Sequence, residues 1–389
     1  MNEIIAIICE YNPFHKGHKY QIDALKKLYP DATLVSIMSG NATQRGEVAL
    51  FDKYTRAKAA VLCGVDCVFE LPYPFCSSNA ERFAQAGVCI ATKVGATHLC
   101  FGTESGSIEY VMSVADAIDS AEFENEIGKE LQNKKISYAN ARSNALERMG
   151  IASPEKSNDI LGVEYARAIK RYNSPITPIT IKREGADYNN LEVADVMSAS
   201  AIREYFLNNN SIIGVPYEVV DLYNELVDNG EYTDKNEIEE YLFKNIILSS
   251  PEEISLCYDV PDGAEYFIYD ASLNSKNSQQ FFSGLTTKTY TYARLRRIVL
   301  YSALKTQALD TEPAYTALLA ANEKGRELLK IARKKEDIYI LTKLGDYKEM
   351  PEKAIKQFEV SLCLDKLFNS FLHYRASSTD LFKRKPYIV

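Results

Sequence analysis

An apolar run of six residues, Ile4–Cys9, lies five residues ahead of the sequence HKGH at residues 15–18. The Tyr-Asn-Pro at 11–13 breaks the run, and residues 20–28 then carry apolar side chains at helical spacing. The stretch predicts a buried strand, a tight turn and a helix, with both histidines where the helix begins. This order limits the fold to classes in which a strand leads directly into a helix.

The predicted junction suits a phosphate group. Free backbone N–H groups at a helix N-terminus and the helix dipole favour an anion, and Gly17 lets the backbone approach closely because it has no Cβ. His15 and His18 can face the same side and donate to phosphoryl oxygens as pyrophosphate leaves. The alternative is two surface histidines near a turn. The chain has only 4 His and two of them lie here, which favours the phosphate site.

The same alternation of elements continues to about residue 210. Buried strands are predicted at residues 32–39, 66–71, 98–102 and 175–181. Helices are predicted at residues 52–63, 80–94, 108–119, 123–131, 137–149 and 157–172. This pattern indicates an α/β fold, a Rossmann-like parallel sheet with helices on both faces. Binding residues then lie at the carboxyl ends of the strands, in segments 10–18, 39–46 and 102–105.

Beyond residue 210 the pattern becomes mostly helical. No clear buried strand is predicted before a short one at residues 337–343, and residues 259–283 fit either strand or helix. The stronger helices are expected at residues 216–227, 235–248, 291–304 and 353–371. A chain of 389 residues exceeds one typical core. We therefore expect a Rossmann-like domain at residues 1–209 and a mostly helical C-terminal domain at residues 210–389.

The net charge of −8 is unevenly distributed. Residues 286–389 carry 20 Lys and Arg against 12 Asp and Glu, whereas the remaining residues are strongly acidic. This contrast suggests that the C-terminal part faces a polyanion, although a solvated charged face would produce the same composition.

No apolar run reaches the roughly 18 residues of a membrane helix, and the start of the chain has no basic, apolar leader. We expect a cytoplasmic protein without a membrane partner. The 8 Cys lie mostly in apolar surroundings and fit small buried residues better than a zinc site.

A second segment completes the phosphate argument. Residues 197–203, Met-Ser-Ala-Ser-Ala-Ile-Arg, follow the last predicted strand and open a helix that Ser198 or Ser200 can cap. Together with HKGH, the segment resembles the paired signatures of the nucleotidylyltransferase superfamily, although Met197 and Ala199 depart from the familiar form. The resemblance implies ATP binding, attack on the α-phosphate, and Arg203 on the β- and γ-phosphate oxygens.

Eight segments together resemble the bacterial tRNA(Met) cytidine acetate ligase family. In chain order they are EYNPFHKGH, MSGNATQRGE, ELPYPF, FGTES, SNDILGVEY, IKREGADY, MSASAIR and TYTYARLRR. The resemblance spans nearly the whole chain and is weakest between residues 259 and 284. It implies ATP-dependent activation of acetate as acetyl-adenylate. The acetyl group then passes to N4 of the wobble cytidine of elongator tRNA(Met), forming N4-acetylcytidine, with neither DNA nor a membrane as partner.

The resemblance also assigns site residues. The expected catalytic residues are His15, His18 and Arg203. The expected ATP-binding residues are Ile8, Cys9, Glu10, Tyr11, Asn12, Pro13, Phe14, His15, Lys16, Gly17, His18, Lys19, Tyr20, Gln21, Gly102, Asn158, Arg183, Ser200 and Arg203. Mg²⁺ is expected to be held through the ATP phosphates, with no metal bound by the protein itself.

Each of the outlying residues has a structural alternative. Gly102 lets a nucleotide lie close to the backbone or only makes a turn, and Asn158 binds a base or ribose or only caps a helix. Arg183 binds an anion or is solvated. Residues 44–46, Gln-Arg-Gly, lie at a strand end and either touch substrate or form a surface turn.

The run TYTYARLRR contains Arg294, Arg296 and Arg297, the expected tRNA-binding residues. Aromatic and basic side chains together suit RNA, but an amphipathic core helix with a basic face has the same pattern.

Two other functions fit part of the sequence. A nucleotidyltransferase that adenylates a small phosphorylated cofactor precursor shares HxGH but has no need of a basic C-terminal part. An RNA-binding protein with a vestigial nucleotide fold has no need of intact His15, His18 and Arg203.

Overall fold

A central β-sheet collects strands from both halves of the chain in the computed structural model, which describes residues 3–132, 136–182, 197–374 and 378–389. The strands are β1 Ile4–Cys9, β2 Thr33–Ser39, β3 Cys67–Leu71, β4 His98–Thr103, β5 Thr177–Lys182, β6 Tyr315–Ala321, β7 Tyr339–Leu341 and β8 Tyr387–Ile388. They pair in the order β5-β4-β1-β2-β3-β6-β7, and β8 pairs with β6.

The strands β1 to β5 form the parallel part of the sheet. The sequence-based prediction of an α/β fold with these five strands is confirmed, with bounds that differ by at most two residues. Because all five strands run the same way, their carboxyl ends meet at one edge, which we call the carboxyl edge. The turn before the first helix follows β1 directly at this edge.

The strand β6 corrects the expectation that no buried strand occurs between residues 210 and 337. It pairs antiparallel with β3 and parallel with β7 and β8, so C-terminal residues extend the sheet. Its sequence, YTALLAA, is a short apolar run that periodicity cannot assign to strand or helix. The division near residue 210 stays a prediction, and the sheet takes strands from both sides of it.

Helices cover both faces of the sheet. In the first part of the chain they are α1 Lys16–Leu28, α2 Lys53–Leu62, α3 Ala80–Val94, α4 Ile108–Ile118, α5 Ala121–Leu131, α6 Tyr138–Arg148, α7 Ser157–Arg171 and α8 Ala199–Asn209. The later helices are α9 Val220–Asp228, α10 Lys235–Leu248, α11 Pro251–Ser255, α12 Ala264–Leu273, α13 Ser278–Gly284, α14 Tyr292–Leu304, α15 Glu323–Lys335 and α16 Glu352–Ser370. The ambiguous residues 259–283 are thus helical where α12 and α13 lie.

The core divides along the sheet because alternate side chains of a strand point to opposite faces. Ile5 and Ile7 of β1 pack with α1, α2, α8 and α9 on one face, and Ala6 and Ile8 pack with α3 and α7 on the other. The buried cluster on the face of Ala6 and Ile8 also includes apolar residues of α10 and α14. In the described part of the chain, no helix has the length and apolar character needed to cross a bilayer.

Candidate active site

The turn between β1 and α1 is closed by the two histidines themselves. His15 is the N-cap of α1, and its Nδ1 accepts a hydrogen bond from the N–H of Gly17 at 3.0 Å. His18 Nδ1 in turn accepts from the N–H of His15 at 3.2 Å, which completes a capping box. The two rings stack with centroids 3.7 Å apart. This local bonding fixes both imidazoles on one side of the turn.

The capping bonds determine where each neutral imidazole carries its proton. Because Nδ1 of His15 and Nδ1 of His18 both accept backbone N–H groups, the proton of each neutral ring lies on Nε2. Each Nε2–H is then a hydrogen-bond donor on a ring held in place by the backbone. Two adjacent donors of this kind can stabilise negative charge that develops on a phosphoryl group.

The backbone of the first turn of α1 differs from the sequence-based expectation of free N–H groups. The N–H of Lys16 donates to Gly214 O at 3.1 Å, and the N–H of Gly17 donates to the ring of His15. The N–H groups of His18 and Lys19 both donate to His15 O. The expectation was wrong because the backbone oxygens of His15 and Gly214 and the ring of His15 accept these N–H groups. What the turn can offer an anion is therefore its side chains and the helix dipole.

Arg203 joins the turn from α8. Its Nη1 donates to Asn12 O at 2.8 Å, and its Nη2 pairs with Glu47 Oε2 at 2.7 Å. Ser198 caps α8 by accepting from the N–H of Ala201, and it is one of the two caps proposed from the sequence. The Oγ atoms of Ser198 and Ser200 lie 3.1 Å apart. The structure therefore brings Arg203 to the histidine turn, although the two are far apart in sequence.

Glu47 is held as an anion by the cations around it. Burial raises the pKa of Glu47, but Arg203, Arg296, Lys235 and Arg45, in decreasing order of effect, more than offset this, and the pKa lies below its usual value. The ion pair with Arg203 therefore persists at neutral pH. Sequence reasoning left the neighbouring residues 44–46 unassigned and did not single out Glu47.

Arg56 of α2 holds the carboxyl edge together. Its buried guanidinium donates to four backbone carbonyls, those of Glu10, Ser39, Gly40 and Phe51. These bonds fasten the ends of β1 and β2 to each other. Nothing in the sequence marks Arg56, because its acceptors are main-chain atoms brought together only by the sheet.

The loop after β2 connects this edge to its surroundings. The N–H of Gln44 donates to Glu10 Oε1 at 2.7 Å, and Gln44 Nε2 donates to Ser78 O. Arg45 Nη2 donates to Ser157 Oγ at 3.0 Å, which links the loop to the start of α7. The segment is thus part of the architecture of the site.

Asn158 lies in the first turn of α7, and Gly102 lies near the end of β4. The N-cap of α7 is Lys156, so the suggestion that Ser157 or Asn158 caps the helix was wrong. Asn158 Nδ2 instead donates to Glu104 Oε1 at 2.5 Å. Both predicted nucleotide contacts therefore lie at the carboxyl edge, like the histidine turn, whereas Arg183 lies outside the described residues.

Other residues of the predicted ATP loop have packing roles. Tyr11 and Phe14 are buried, with Tyr11 Oη 3.1 Å from Ser36 Oγ and the N–H of Phe14 donating to Tyr223 Oη. Burial raises the pKa of the Cys9 thiol to about 12, so Cys9 is not a thiolate nucleophile at neutral pH. Lys19 pairs with Asp23 at 2.5 Å.

The remaining members of this loop differ in exposure. Ile8 and Pro13 are buried, Tyr20 is exposed, and Gln21 Nε2 lies 3.5 Å from Cys100 Sγ. Asn12 is buried and, among the described residues, its Nδ2 has no hydrogen-bond partner. Since Asn12 O receives Arg203, this orphaned donor lies in the same turn and fits an acceptor oxygen of a ligand such as ATP.

The α14 arginines require a correction. Arg296 is 3% exposed and pairs with Glu239 at 2.8 Å, and Arg297 is 4% exposed and donates to Gln44 O at 3.3 Å. Their burial leaves them no surface for direct RNA contact, so the core-helix alternative describes them better. Arg294 is one-third exposed and pairs with Asp259 at 2.7 Å.

One exposed group of positive charges in the C-terminal part lies on α15. Arg326, Lys330 and residues 333–335 are exposed. The neighbouring Lys324 donates to Asp31 O and Ala32 O, just before β2. This is the opposite edge of the sheet from the histidine turn, a strand length of roughly 20 Å away.

The described residues show no cluster of three or more His, Cys, Asp or Glu side chains able to hold a metal ion. The side chains at the carboxyl edge include the donors Arg56 and Arg203 as well as carboxylates that are mostly engaged with protein partners. A divalent ion that arrives bound to ATP belongs to the substrate.

The chain is similar over most of its length to a family of known proteins. A model of the HIGH Nucleotidyl Transferase family matches residues 1–382. The tRNA(Met) cytidine acetate ligase of Clostridium acetobutylicum is 34% identical over 371 residues, which cover 88% of this chain and 91% of that protein. The protein of the same name from Clostridium tetani is 33% identical, with 98% and 99% covered.

Solved structures are similar over the full length. The crystal structure of Thermotoga maritima TmcAL bound with alpha-thio ATP has a TM-score of 0.91 and 27% identity, covering 100% of this chain and 99% of that one. The apo crystal structure of the same protein gives the same values.

Proposed function

This chain belongs to the HIGH nucleotidyl transferase family and, within it, to the tRNA(Met) cytidine acetate ligases, and from that premise we propose a two-step reaction. The protein activates acetate with ATP as acetyl-adenylate, releasing pyrophosphate. It then acetylates N4 of the wobble cytidine of elongator tRNA(Met), forming N4-acetylcytidine. The observation that carries the proposal is the pair of stacked histidines, whose Nδ1 atoms accept backbone N–H groups, in the turn that Arg203 also contacts.

In the first step an acetate oxygen attacks the α-phosphate of ATP and the bond to pyrophosphate breaks. His15 and His18 donate through Nε2 to phosphoryl oxygens whose charge grows as this bond lengthens. Arg203 uses two of its nitrogens for Asn12 O and Glu47, and its remaining N–H donors are available to the β- and γ-phosphates. Mg²⁺ enters as part of the ATP substrate, held through its phosphates.

The nucleotide itself extends from this turn along the carboxyl edge. Gly102 at the end of β4 allows close approach, and Asn158, oriented by Glu104, offers an amide to a base or ribose. Such a position outside the carboxyl ends of parallel strands is the usual one for nucleotides in open α/β sheets.

In the second step the N4 amine attacks the acetyl carbonyl and AMP leaves. An acyl-enzyme is not needed, because the mixed anhydride is already activated. The target base lies in the anticodon loop and is single-stranded, which lowers the cost of presenting it to the site. The tRNA therefore approaches the carboxyl edge, and the exposed cations of α15 lie on the opposite edge.

Acetate-dependent exchange of labelled pyrophosphate into ATP, measured without RNA, tests the proposal. We expect exchange that requires acetate and is lost in His18→Gln. If exchange occurs only when tRNA is added, activation depends on bound tRNA. If a phosphorylated cofactor precursor supports exchange and acetate does not, with or without tRNA, the nucleotidyltransferase function replaces this proposal. Digestion of elongator tRNA(Met) after full turnover and mass spectrometry of its nucleosides then identify N4-acetylcytidine.

A further inference from the structure

The second step of the proposed function, on which this inference rests, has a proton to remove. The lone pair of a cytidine N4 amine is delocalised into the ring, so the amine is a weak nucleophile. When N4 bonds to the acetyl carbon it gains positive charge, which is relieved only when a proton leaves. A positioned general base therefore accelerates this step. The first step, attack by acetate, transfers no proton.

Most carboxylates near the carboxyl edge are already engaged. Glu47 pairs with Arg203, and Glu70 pairs with buried Lys53 at 2.7 Å. Glu104 accepts from Asn158 Nδ2 and the N–H of Asp159. Asp159 in turn accepts from the N–H groups of Glu104 and Ser105. These groups orient other residues and are poorly placed to take a proton.

Glu10 is different. It directly follows β1, between the strand and the histidine turn, and it is half-buried. Its Oε1 accepts the N–H of Gln44 at 2.7 Å, and its main-chain oxygen accepts from Arg56. Within the described ranges, no group donates to Oε2, no cation forms an ion pair with the carboxylate, and Oε2 is not fully buried.

The surroundings of Glu10 strengthen it as a base. Burial raises the pKa of Glu10, and the Gln44 N–H, Arg203 and Arg56 offset this only in part. The charged groups that face Glu10 are Arg203 of α8, Arg56 of α2 and Glu47 of the loop after β2. The other titratable groups that face it are Cys9 of β1, Cys76 between β3 and α3, and Tyr165 of α7. A carboxylate whose pKa is moved toward neutrality accepts a proton more readily at the transition state.

We propose that Glu10 is the general base of acetyl transfer to tRNA. As the N4–carbon bond forms, Oε2 accepts the proton from N4. The bond from the acetyl carbon to the adenylate oxygen breaks, and AMP leaves with that electron pair. The proton then passes from Glu10 to solvent, which restores the carboxylate. The hydrogen bond from the N–H of Gln44 to Oε1 holds the carboxyl group, and the bond from Arg56 to the main-chain oxygen holds the backbone of Glu10.

The test separates the two half-reactions. Glu10→Gln keeps an oxygen that accepts from Gln44 and removes the base. Transfer is measured in a single turnover from chemically prepared acetyl-adenylate to tRNA, and activation by acetate-dependent pyrophosphate exchange. We expect the ratio of the transfer rate to the exchange rate to fall by about 10²–10⁴. Glu10→Asp keeps a carboxylate on a shorter side chain, and its ratio of transfer to exchange is expected to lie between those of the wild type and Glu10→Gln.

The matched control is Glu47→Gln, a neighbouring carboxylate that acts through Arg203. It is expected to lower exchange more than transfer, the reverse of Glu10→Gln. In the wild type the transfer rate is expected to rise with pH and then level off as one group loses its proton, and Glu10→Gln is expected to lose this rise.

Two results would overturn the inference. Transfer by Glu10→Gln at the wild-type rate would show that no base is needed at this position. Equal losses of transfer and exchange would place Glu10 in ATP binding alone. Failure of the wild type itself to transfer acetyl from acetyl-adenylate to tRNA would instead count against the proposed function, before any variant is compared.

Discussion

In the turn before α1, the Nδ1 atoms of His15 and His18 accept hydrogen bonds from the backbone of the same turn. In α14, by contrast, Arg296 and Arg297 are buried among partners from distant segments. The histidines are held by bonds within four residues of sequence. The arginines are held by Glu239 and by Gln44 O. The orientation of the histidine rings is thus set by bonds within the turn, whereas the positions of the two arginines depend on partners from other parts of the chain.

The largest effect is expected at the histidine turn. His18→Gln keeps the capping box, because Gln at this helix position also accepts from the N-cap N–H, but it removes the ring donor. We expect pyrophosphate exchange to fall by about 10²–10³, as for loss of one donor to a developing anion. His15→Asn, which keeps an N-cap side chain, is the matched variant. Near wild-type exchange in both would mean that the rings serve only the turn.

The next effect is expected in α14, on stability. Arg296→Met removes one partner of a buried ion pair, and although Lys235 stays beside Glu239, we expect the free energy of unfolding to fall by about 3 kcal/mol. Urea unfolding measures this directly. The salt dependence of tRNA binding by the folded variant is expected to match that of the wild type. A reduced salt slope would show that Arg296 contacts phosphate after all.

A smaller effect is expected from the ion pair of Glu47 and Arg203, which lies between the histidine turn and α14. Glu47→Gln leaves Arg203 with Asn12 O as its remaining anchor, so we expect the KM for ATP to rise about tenfold, equivalent to about 1.4 kcal/mol. The pair also gives a pH signature. Because the pKa of Glu47 lies below its ordinary value of 4.5, its stabilisation is complete above that value and is lost as pH falls through the folded-state pKa.

The wild type is therefore expected to exceed Glu47→Gln in unfolding free energy at pH 7, and the difference is expected to shrink below pH 4.5. Urea titrations across this range measure it. A difference that does not change with pH would contradict an ionised Glu47.

The smallest effect is expected at Arg294, which is partly exposed and paired with Asp259. Arg294→Met is expected to change stability by at most about 1 kcal/mol, as for surface pairs. If its exposed side faces RNA, the slope of log K against log salt for tRNA binding is expected to become less steep, by the amount that one phosphate contact contributes. Arg326→Met on α15, at the opposite edge of the sheet, is the comparison that shows which basic surface the tRNA uses.

The difference between these regions also explains what sequence reasoning could predict. The strands β1 to β5, the helix α1 and the cap of α8 depend on apolar spacing and on residues near in sequence, so they were predicted nearly in full. The family resemblance is supported by relatives at 32–34% identity over most of the chain. The missed strand β6 carries a short apolar run whose partner, β3, lies about 250 residues earlier, as the pairing of Val68 with Ala320 shows.

The sequence by itself determined the strand-turn-helix unit, the parallel sheet and the presence of two histidines at a helix start, because neighbouring residues impose these features through sterics, capping and burial. Only the tertiary structure decided that Arg56 fastens the strand ends and that Arg203 reaches the histidine turn beside Glu47. It also decided that Arg296 and Arg297 are buried and that Glu10 has one carboxylate oxygen to which no described group donates. These outcomes depend on partners distant in sequence, and a charge receives its role from the groups that surround it after folding.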